Sequence, residues 1–579
     1  TYTTSDEEIA VVDAAGKIEG KRRGVAAIGI RYIDLMETVS LTVVQESPDF
    51  VFQAEPPRNF IDEKVDAQLR ELQLLPAPAA GDAEFHRRAW LDLAGQLPPP
   101  DATRKFLADA AADKRARLVD QLLVRGEHAK YWALHWSDLL RANKTASGET
   151  GVHKYHRWIE RSIAENIPYD RFAREVLLSS GNTLRQPPAS FYRAAADNNE
   201  TIEQVMQVFC GARLQCAKCH NHPFERWTQD NYYGWAAFFA DVKLEKDPES
   251  GDRTVAGSAV EAAQPLFEMI TDAPGGKMIH LRTSQPAPAK FPFEVRTGVP
   301  ENEQASQTLR QRTAAWITAA ENPYFARSYV NRVWAHLMGV GLIEPIDDIR
   351  AGNPPTNPEL LDYLTDEFIK SGFNVRHVVK LAVKSRTYQL AVSTNKWNAD
   401  DKINYSHATA RRLPAEVLYD AIHVATGAPS QFPGYPAGTR AAQLYDVSTS
   451  MGGGFLQTFG RPARESGCEC ERAGGMALGP VMAMISGPTL SDAVASPKND
   501  LAKLVAAEKD DAKLVDELFL RVLNRHATPN EVALAKRTIA DIATDHGVME
   551  KLLAEKETWW KPIFTKLEAE RTAAIAKAK

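Results

Sequence analysis

Residues 82–97 read DAEFHRRAWLDLAGQL, and Pro98-Pro99-Pro100-Asp101 follow. The apolar residues recur at helical spacing, the proline run stops the helix, and Asp101 is placed to cap the next one. The same pattern spreads outward from this stretch. It predicts helices over 59–75, 101–123, 131–141, 154–167, 169–179 and 200–210, and a short one over 234–239. Residues 244–300 are rich in Gly, Pro and charge, with strand candidates such as Met278-Ile279-His280-Leu281, and read as a linker or small β insertion. Helical spacing resumes over 308–320, 325–338, 358–371, 375–384 and 414–426 and, after a loop-rich 430–475 broken by Gly452-Gly453-Gly454, over 510–523 and 529–545. Residues 546–579 form a charged helix with an Ala/Lys-rich end that frays. The expected class is mainly α. Two packed helical domains, 57–243 and 301–545, are joined by the 244–300 linker and preceded by a β-rich segment over 1–48.

The 579 residues carry a net charge of −6 and no basic block, which argues against a nucleic-acid partner. No apolar run approaches the roughly 18 residues that span a bilayer. The chain opens at Thr1 without Met, within strand-like sequence, and reads as a mature or truncated product. Five cysteines fall in two groups, Cys210, Cys216 and Cys219, then Cys468 and Cys470. This is too sparse for a disulfide framework.

Cys216-Ala217-Lys218-Cys219-His220 has the spacing that attaches a c-type haem. Two thiols add across the porphyrin vinyl groups and the adjacent imidazole, His220, ligates iron from one side. His222 lies two residues on, so along a helix it points away from His220 and does not serve the opposite axial position. Candidates for that position are His135, His153, His156, Met206, Met451 and Met476. An open sixth position favours peroxide or O₂ chemistry, and a His or Met favours electron transfer. Trp227, Tyr232 and Tyr233, with Pro223, Phe224 and Trp235, are candidate walls of a haem pocket; plain core is the alternative for the same rings. Zinc is the alternative cofactor, with Cys216 and Cys219 joined by His220, His222, Cys468 or Cys470. Cysteines left reduced or paired as a disulfide are the third.

Cys468-Glu469-Cys470 reads as a strained, reducible disulfide or as packing cysteines, with metal ligation alongside Cys210 as a weaker option. The run Glu344-Pro345-Ile346-Asp347-Asp348-Ile349-Arg350 offers paired carboxylates for Ca²⁺, sugar or acid–base work, against a rigid loop that leads into a helix at Pro358. Arg461, Arg464, Glu465, Glu471 and Arg472 read as an anion site or as an ion-pair network shaping a loop. Asn331 and Trp334 share one face of a helix and Arg332 and His336 another, and these read as packing.

Three resemblances extend this picture. The strand pattern VVDAAGKIEGKRRGVAAIGIRY…VSLTVV resembles the second half of a bacterial Ig-like domain of the adhesin (BIG2) type. A half sandwich leaves an open edge that a missing segment or a partner surface, a second copy included, has to cover; a strand-rich arm docked on the main body is the other reading. FHRRAWLDLAGQLPP and LQCAKCHNHPFERWTQDNYYGWAAFF resemble the planctomycete cytochrome-type DUF1549 domain. ENPYFARSYVNRVWAHLMGVGLIEPIDDIRAGNPPTNPELLDYL, SRTYQLA, RRLPAEVLYDAI and FGRPARESGCECER resemble the DUF1553 domain that usually follows it. The resemblance implies an exported protein with the C-x-x-C-H in its first domain, often encoded beside a sulfatase-like protein, and implies no particular reaction. Cys210 stands where the family usually has an aliphatic residue. The expected function is an exported mono-haem c-type protein of the periplasm or cell surface. It transfers electrons with a redox partner protein or oxidises an extracellular substrate, carbohydrate among the candidates. The alternative is a structural or binding component of the cell envelope.

Overall fold

The computed structural model describes all residues except 33–34, 196, 224, 256–262, 305, 450–452, 473–477 and 579; the side chains of residues 35, 301, 470, 543, 544 and 578 are likewise outside the description. Helices dominate, with a few small antiparallel sheets. Among the described residues no helix is long and apolar enough to cross a membrane.

The N-terminal arm pairs Tyr2–Thr4, Gly24–Tyr32 and Leu35–Val43 in one sheet, with the long strand central, and Ala10–Val12 with Ile18–Gly20 in a hairpin. Ile9, Ala10 and Ala26 form its small core against Leu41 and Val43. The arm is docked on the helical body: Arg23 donates to the Gln73 carbonyl at 2.9 Å and pairs with Asp400 at 2.6 Å, and Arg31 donates to the Pro223 carbonyl.

The helix predicted from 82–97 runs Asp82–Ala94 and ends on Gly95 in the left-handed conformation. A Cβ at Gly95 would lie 2.3 Å from the Tyr131 ring, so both the backbone angle and the space require glycine there. Asp101 does not cap. Pro100 takes the first helical position and Asp101 sits in the first turn, bonded to Arg104 at 2.6 Å, where a carboxylate still favours the positive helix end. The predicted 101–123 helix is two, Pro100–Ala108 and Lys114–Leu123. The predicted 154–167 helix begins earlier, as Lys144–Ala164 with a break at Gly148. In the linker, Val242–Lys246 and Glu268–Asp272 pair with each other, and Glu268–Asp272 also pairs with Gly181–Asn182. The strand expected at Met278–Leu281 is only a single bridge between Ile279 and Pro286. Three helices between 478 and 507 went unpredicted, and the last two predicted helices are one, Pro529–Ala578.

The two helical segments share a continuous core from Ile61 to Val417. Gly126–Leu139 and Phe325–Met338 lie at its centre, buried on nearly every face although each carries charged and polar residues, Asp138 and Arg332 among them. Tyr169 stacks on Tyr329 at 4.0 Å and on Phe325 at 4.6 Å, and Trp136 packs on Phe172 at 4.8 Å. Polar stitches run between the segments as well. Asp62, fully buried, accepts from the backbone of Arg58, Arg386 and Thr387 and from the Thr387 hydroxyl, at 2.8–2.9 Å. A carboxylate with four donors is desolvated at little net cost, whereas one without them is not tolerated in a core. Arg386 pairs with Asp66, and the Tyr388 hydroxyl donates to Asp92 at 2.9 Å. The SRTYQLA stretch of the second segment therefore closes the first.

Candidate functional site

The C-x-x-C-H follows a π-turn, Met206–Cys210, that ends on Gly211 in the left-handed conformation. A Cβ there would lie 2.7 Å from the Ser328 hydroxyl, while the Gly211 carbonyl accepts from Ile349 at 2.7 Å. Cys210 is a buried free thiol, and burial pushes its pKa up. The motif itself opens as the 3₁₀ turn Gln215–Lys218. Cys216 and Cys219 are exposed free thiols and His220 is exposed. The His220 ring places Nδ1 2.8 Å from the Asn221 carbonyl. A carbonyl only accepts, so Nδ1 carries the proton and Nε2 is the lone-pair nitrogen, the tautomer that a metal-binding imidazole needs.

The turn is held from below. Gln229 and the Tyr233 hydroxyl both donate to the Lys218 carbonyl, at 3.0 and 3.2 Å, and the Gln229 amide donates to the Asn221 side chain at 3.0 Å. Trp227, Tyr232 and Tyr233 are buried beneath it: Trp227 packs on Tyr324, and the Tyr232 hydroxyl donates to Glu203 at 2.7 Å. Burial raises the Glu203 pKa, and burial with the Glu203 bond raises that of Tyr232. Phe224 lies outside the described residues. His222 is half-buried, its amide donating to the Trp227 carbonyl at 2.8 Å, and burial, then Arg350, lower its pKa.

The candidates for the opposite axial position are dispersed. His153 packs edge-on against Tyr445, His156 is 3.0 Å from the Ser137 hydroxyl, and Met206 is in the core; Met451 and Met476 lie outside the described residues. His135 belongs to a cavity described below. For zinc, among the described residues no group of three or more His, Cys, Asp or Glu is placed to hold a metal ion. The 344–350 run is the rigid loop: Asp347 takes Gln207 at 2.6 Å and Arg213, Asp348 takes Arg350 at 3.0 Å, and Asn357 caps the helix that Pro358 opens.

The sequence reading missed a second site. A cavity of about 590 Å³ lies between the two central helices, lined among others by Trp132, His135, Trp136, Tyr329, Arg332 and His336. His135 and His336 are 4.6 Å apart, ring centre to ring centre, and Trp132 lies 4.8 Å from His336. Burial, then His336 and Arg472, hold the His135 imidazole well below the usual histidine range, and burial, opposed by Asp92 and aided by Arg411 and Arg472, holds His336 down to about 4. They are neutral at pH 7. Four wall carboxylates are paired with wall arginines, while Glu471 accepts from the backbone amides of Arg464 and Ser466. Glu84 meets Arg88, Asp92 meets Arg411 at 2.9 Å, Asp138 meets Arg472 at 2.6 Å, and Glu469 meets Arg332. Behind the wall, Arg464 reaches Asp138 at 2.8 Å and Glu416 takes Arg472 at 2.9 Å and Arg461 at 3.8 Å. Burial works to raise the Glu416 pKa, and the two arginines outweigh it, for a net lowering. The arginines of the 461–472 run, Arg461, Arg464 and Arg472, are thus the ion-pair network; Glu471 instead holds the loop through the backbone amides of Arg464 and Ser466, and Glu465 is exposed. Cys468, also on the wall, is disulfide-bonded; the side chain of its expected partner Cys470 lies outside the described residues. Helix spacing at 132, 135, 136 and 332, 336 carried the signal, but on two helices buried all round no sequence pattern separates cavity wall from core.

Two family models match, each described as a protein of unknown function: DUF1549 over residues 60–244 and DUF1553 over residues 309–539. The chain is a DUF1549–DUF1553 protein. No curated protein and no solved structure matches it. The stretches that carry the DUF1549 and DUF1553 likeness meet at the cavity. Arg88 and Asp92 come from FHRRAWLDLAGQLPP, Arg332 and His336 from the ENPYFARSYVNRVWAHLM stretch, Arg411 from RRLPAEVLYDAI and Arg472 from FGRPARESGCECER.

Proposed function

We propose that this DUF1549–DUF1553 protein is an exported mono-haem c-type protein that exchanges electrons with a partner protein outside the cytoplasm. The observation that carries the reading is the state of the turn. Two accessible thiols three residues apart precede an imidazole whose Nδ1 is tied to a carbonyl and whose Nε2 is left as the ligating nitrogen. Cys216 and Cys219 would hold the group covalently and His220 would ligate its iron; bound there, haem supplies a one-electron couple. Gln229 and Tyr233 fix the backbone between the two cysteines, so the turn keeps its shape without a metal cluster beneath it. A surface position suits transfer to a docking protein better than chemistry that has to exclude water.

The test is the visible spectrum of the purified chain, oxidised and dithionite-reduced, together with its mass after denaturation. A Soret band, sharp α and β bands on reduction and a haem-sized mass increment are expected, all lost in the Cys216→Ser/Cys219→Ser double variant. A folded protein exported under haem-maturing conditions with no visible bands would sink the proposal and leave the structural envelope reading.

A further inference from the structure

The cavity between the central helices has features that core packing does not explain, and they do not depend on the haem. It is large enough for a small-molecule ligand, within the usual range of about 300–1,000 Å³. His135 Nε2 and Trp132 Nε1, both on wall residues, are buried without a hydrogen-bond partner. Buried polar atoms in native proteins are rarely left unpaired, and each exception calls for a reason. His336 places Nε2 3.2 Å from the Asp92 carbonyl, so that nitrogen donates and Nδ1 of the neutral ring is an acceptor.

The wall also limits what can bind. Around the imidazole pair Arg332, Arg411 and Arg472 each face a carboxylate, and Arg87 is held by the Val522 carbonyl and Asn524, so neither an anion nor a cation finds an unpaired counter-charge at the pair. Most of the remaining wall is carbon, much of it aromatic, which suits a flat apolar ring better than a sugar with a hydroxyl on every carbon. What the imidazole pair offers is an acceptor for one good hydroxyl donor. We propose that this cavity binds a neutral hydroxyaromatic molecule of the phenol class, with its ring among Tyr131, Trp132 and Trp136 and its hydroxyl at the His135–His336 pair.

The test uses the full chain and three probes built on one ethylbenzene frame, 4-ethylphenol, ethylbenzene and 4-ethylbenzoate, titrated calorimetrically at pH 7. The phenol should bind, ethylbenzene at least tenfold more weakly, and the carboxylate not measurably. A site built around a hydroxyl rejects the analogue that lacks it. His135→Leu should weaken the phenol at least tenfold and leave ethylbenzene within a factor of two. If that variant does not fold, the wild-type series decides together with amide exchange, in which the phenol should slow exchange within Gly126–Leu139 and Phe325–Met338. Equal affinity for phenol and ethylbenzene, tighter binding of the carboxylate, no heat from any probe, or protection confined to other helices would each overturn the proposal.

Discussion

Replacing Asp138 with Asn tests whether the charge network behind the cavity holds the two segments together. The carboxylate receives Arg464 Nε at 2.8 Å and Arg472 Nε and Nη2 at 2.9 and 2.6 Å. Arg472 keeps Glu416 when the charge is removed. Arg464 does not fare as well. Its side chain is fully buried, it retains only the carbonyls of Ala142 and Tyr445, and among the described residues it has no second carboxylate. Removing one partner of a buried pair costs about 3–5 kcal/mol, chiefly by stranding the other charge. Because the amide still accepts one bond, the lower end applies, about 3 kcal/mol, or roughly a hundredfold in the folding equilibrium. The assay is urea unfolding followed by tryptophan fluorescence, to which Trp132 and Trp136 at the cavity contribute along with the other tryptophans of the chain. Adding Arg464→Met to Asp138→Asn removes the stranded charge and should recover at least half of the loss. A single variant within about 1 kcal/mol of wild type, or a double variant no better than the single, would refute the reasoning.

Two further outcomes follow from buried titratable groups. His86 is fully buried with both ring nitrogens unpartnered, stacked 4.6 Å from Phe106, and burial holds its pKa down at about 4. The unfolded chain therefore binds the proton first, and stability is lost as pH falls from about 6.5 to 4. His86→Phe should raise the unfolding free energy by about 1 kcal/mol at pH 7 and by more at pH 5, because an apolar ring has no polar atom to strand; denaturation curves at the two pH values check this. Asp420 has the opposite sign. Burial, opposed by Arg440 and by the amides of Ala441 and Ala442, raises its carboxyl to about 7, so the folded state holds the proton and stability falls as pH rises from about 4 to 7. Asp420→Asn should remove that part of the slope in a stability–pH profile, and an unchanged slope would show that the carboxyl is not the source.

Much of the architecture was legible because it is written in local signals. The proline run after Leu97, the caps at Asn357 and Pro358 and the apolar spacing of 325–338 each fix a helix without reference to the rest of the chain. The boundaries that failed turn on competition between near neighbours. Asp101 is displaced from the cap by Pro100, and Met278–Leu281 finds only one bridging residue. The C-x-x-C-H could be read because its five residues are contiguous. The cavity could not, because its parts come from residues 84 to 472 and their meaning lies in which arginine meets which carboxylate. The 461–472 run admitted two readings until Asp138 and Glu416, far off in the chain, were seen to occupy its cations.

The stitch at Asp62 has a consequence for biosynthesis. Three of the four donors that satisfy this carboxylate lie 324 and 325 residues further on, so at the ribosome's about 5–20 residues per second the first helix waits roughly 15–65 s for them. Throughout that interval the nascent chain displays a half-built interior with a charge in it. The early segment is therefore expected to need chaperone cover until the Arg386–Thr387 stretch emerges, and a chain cut short between the segments is expected to aggregate.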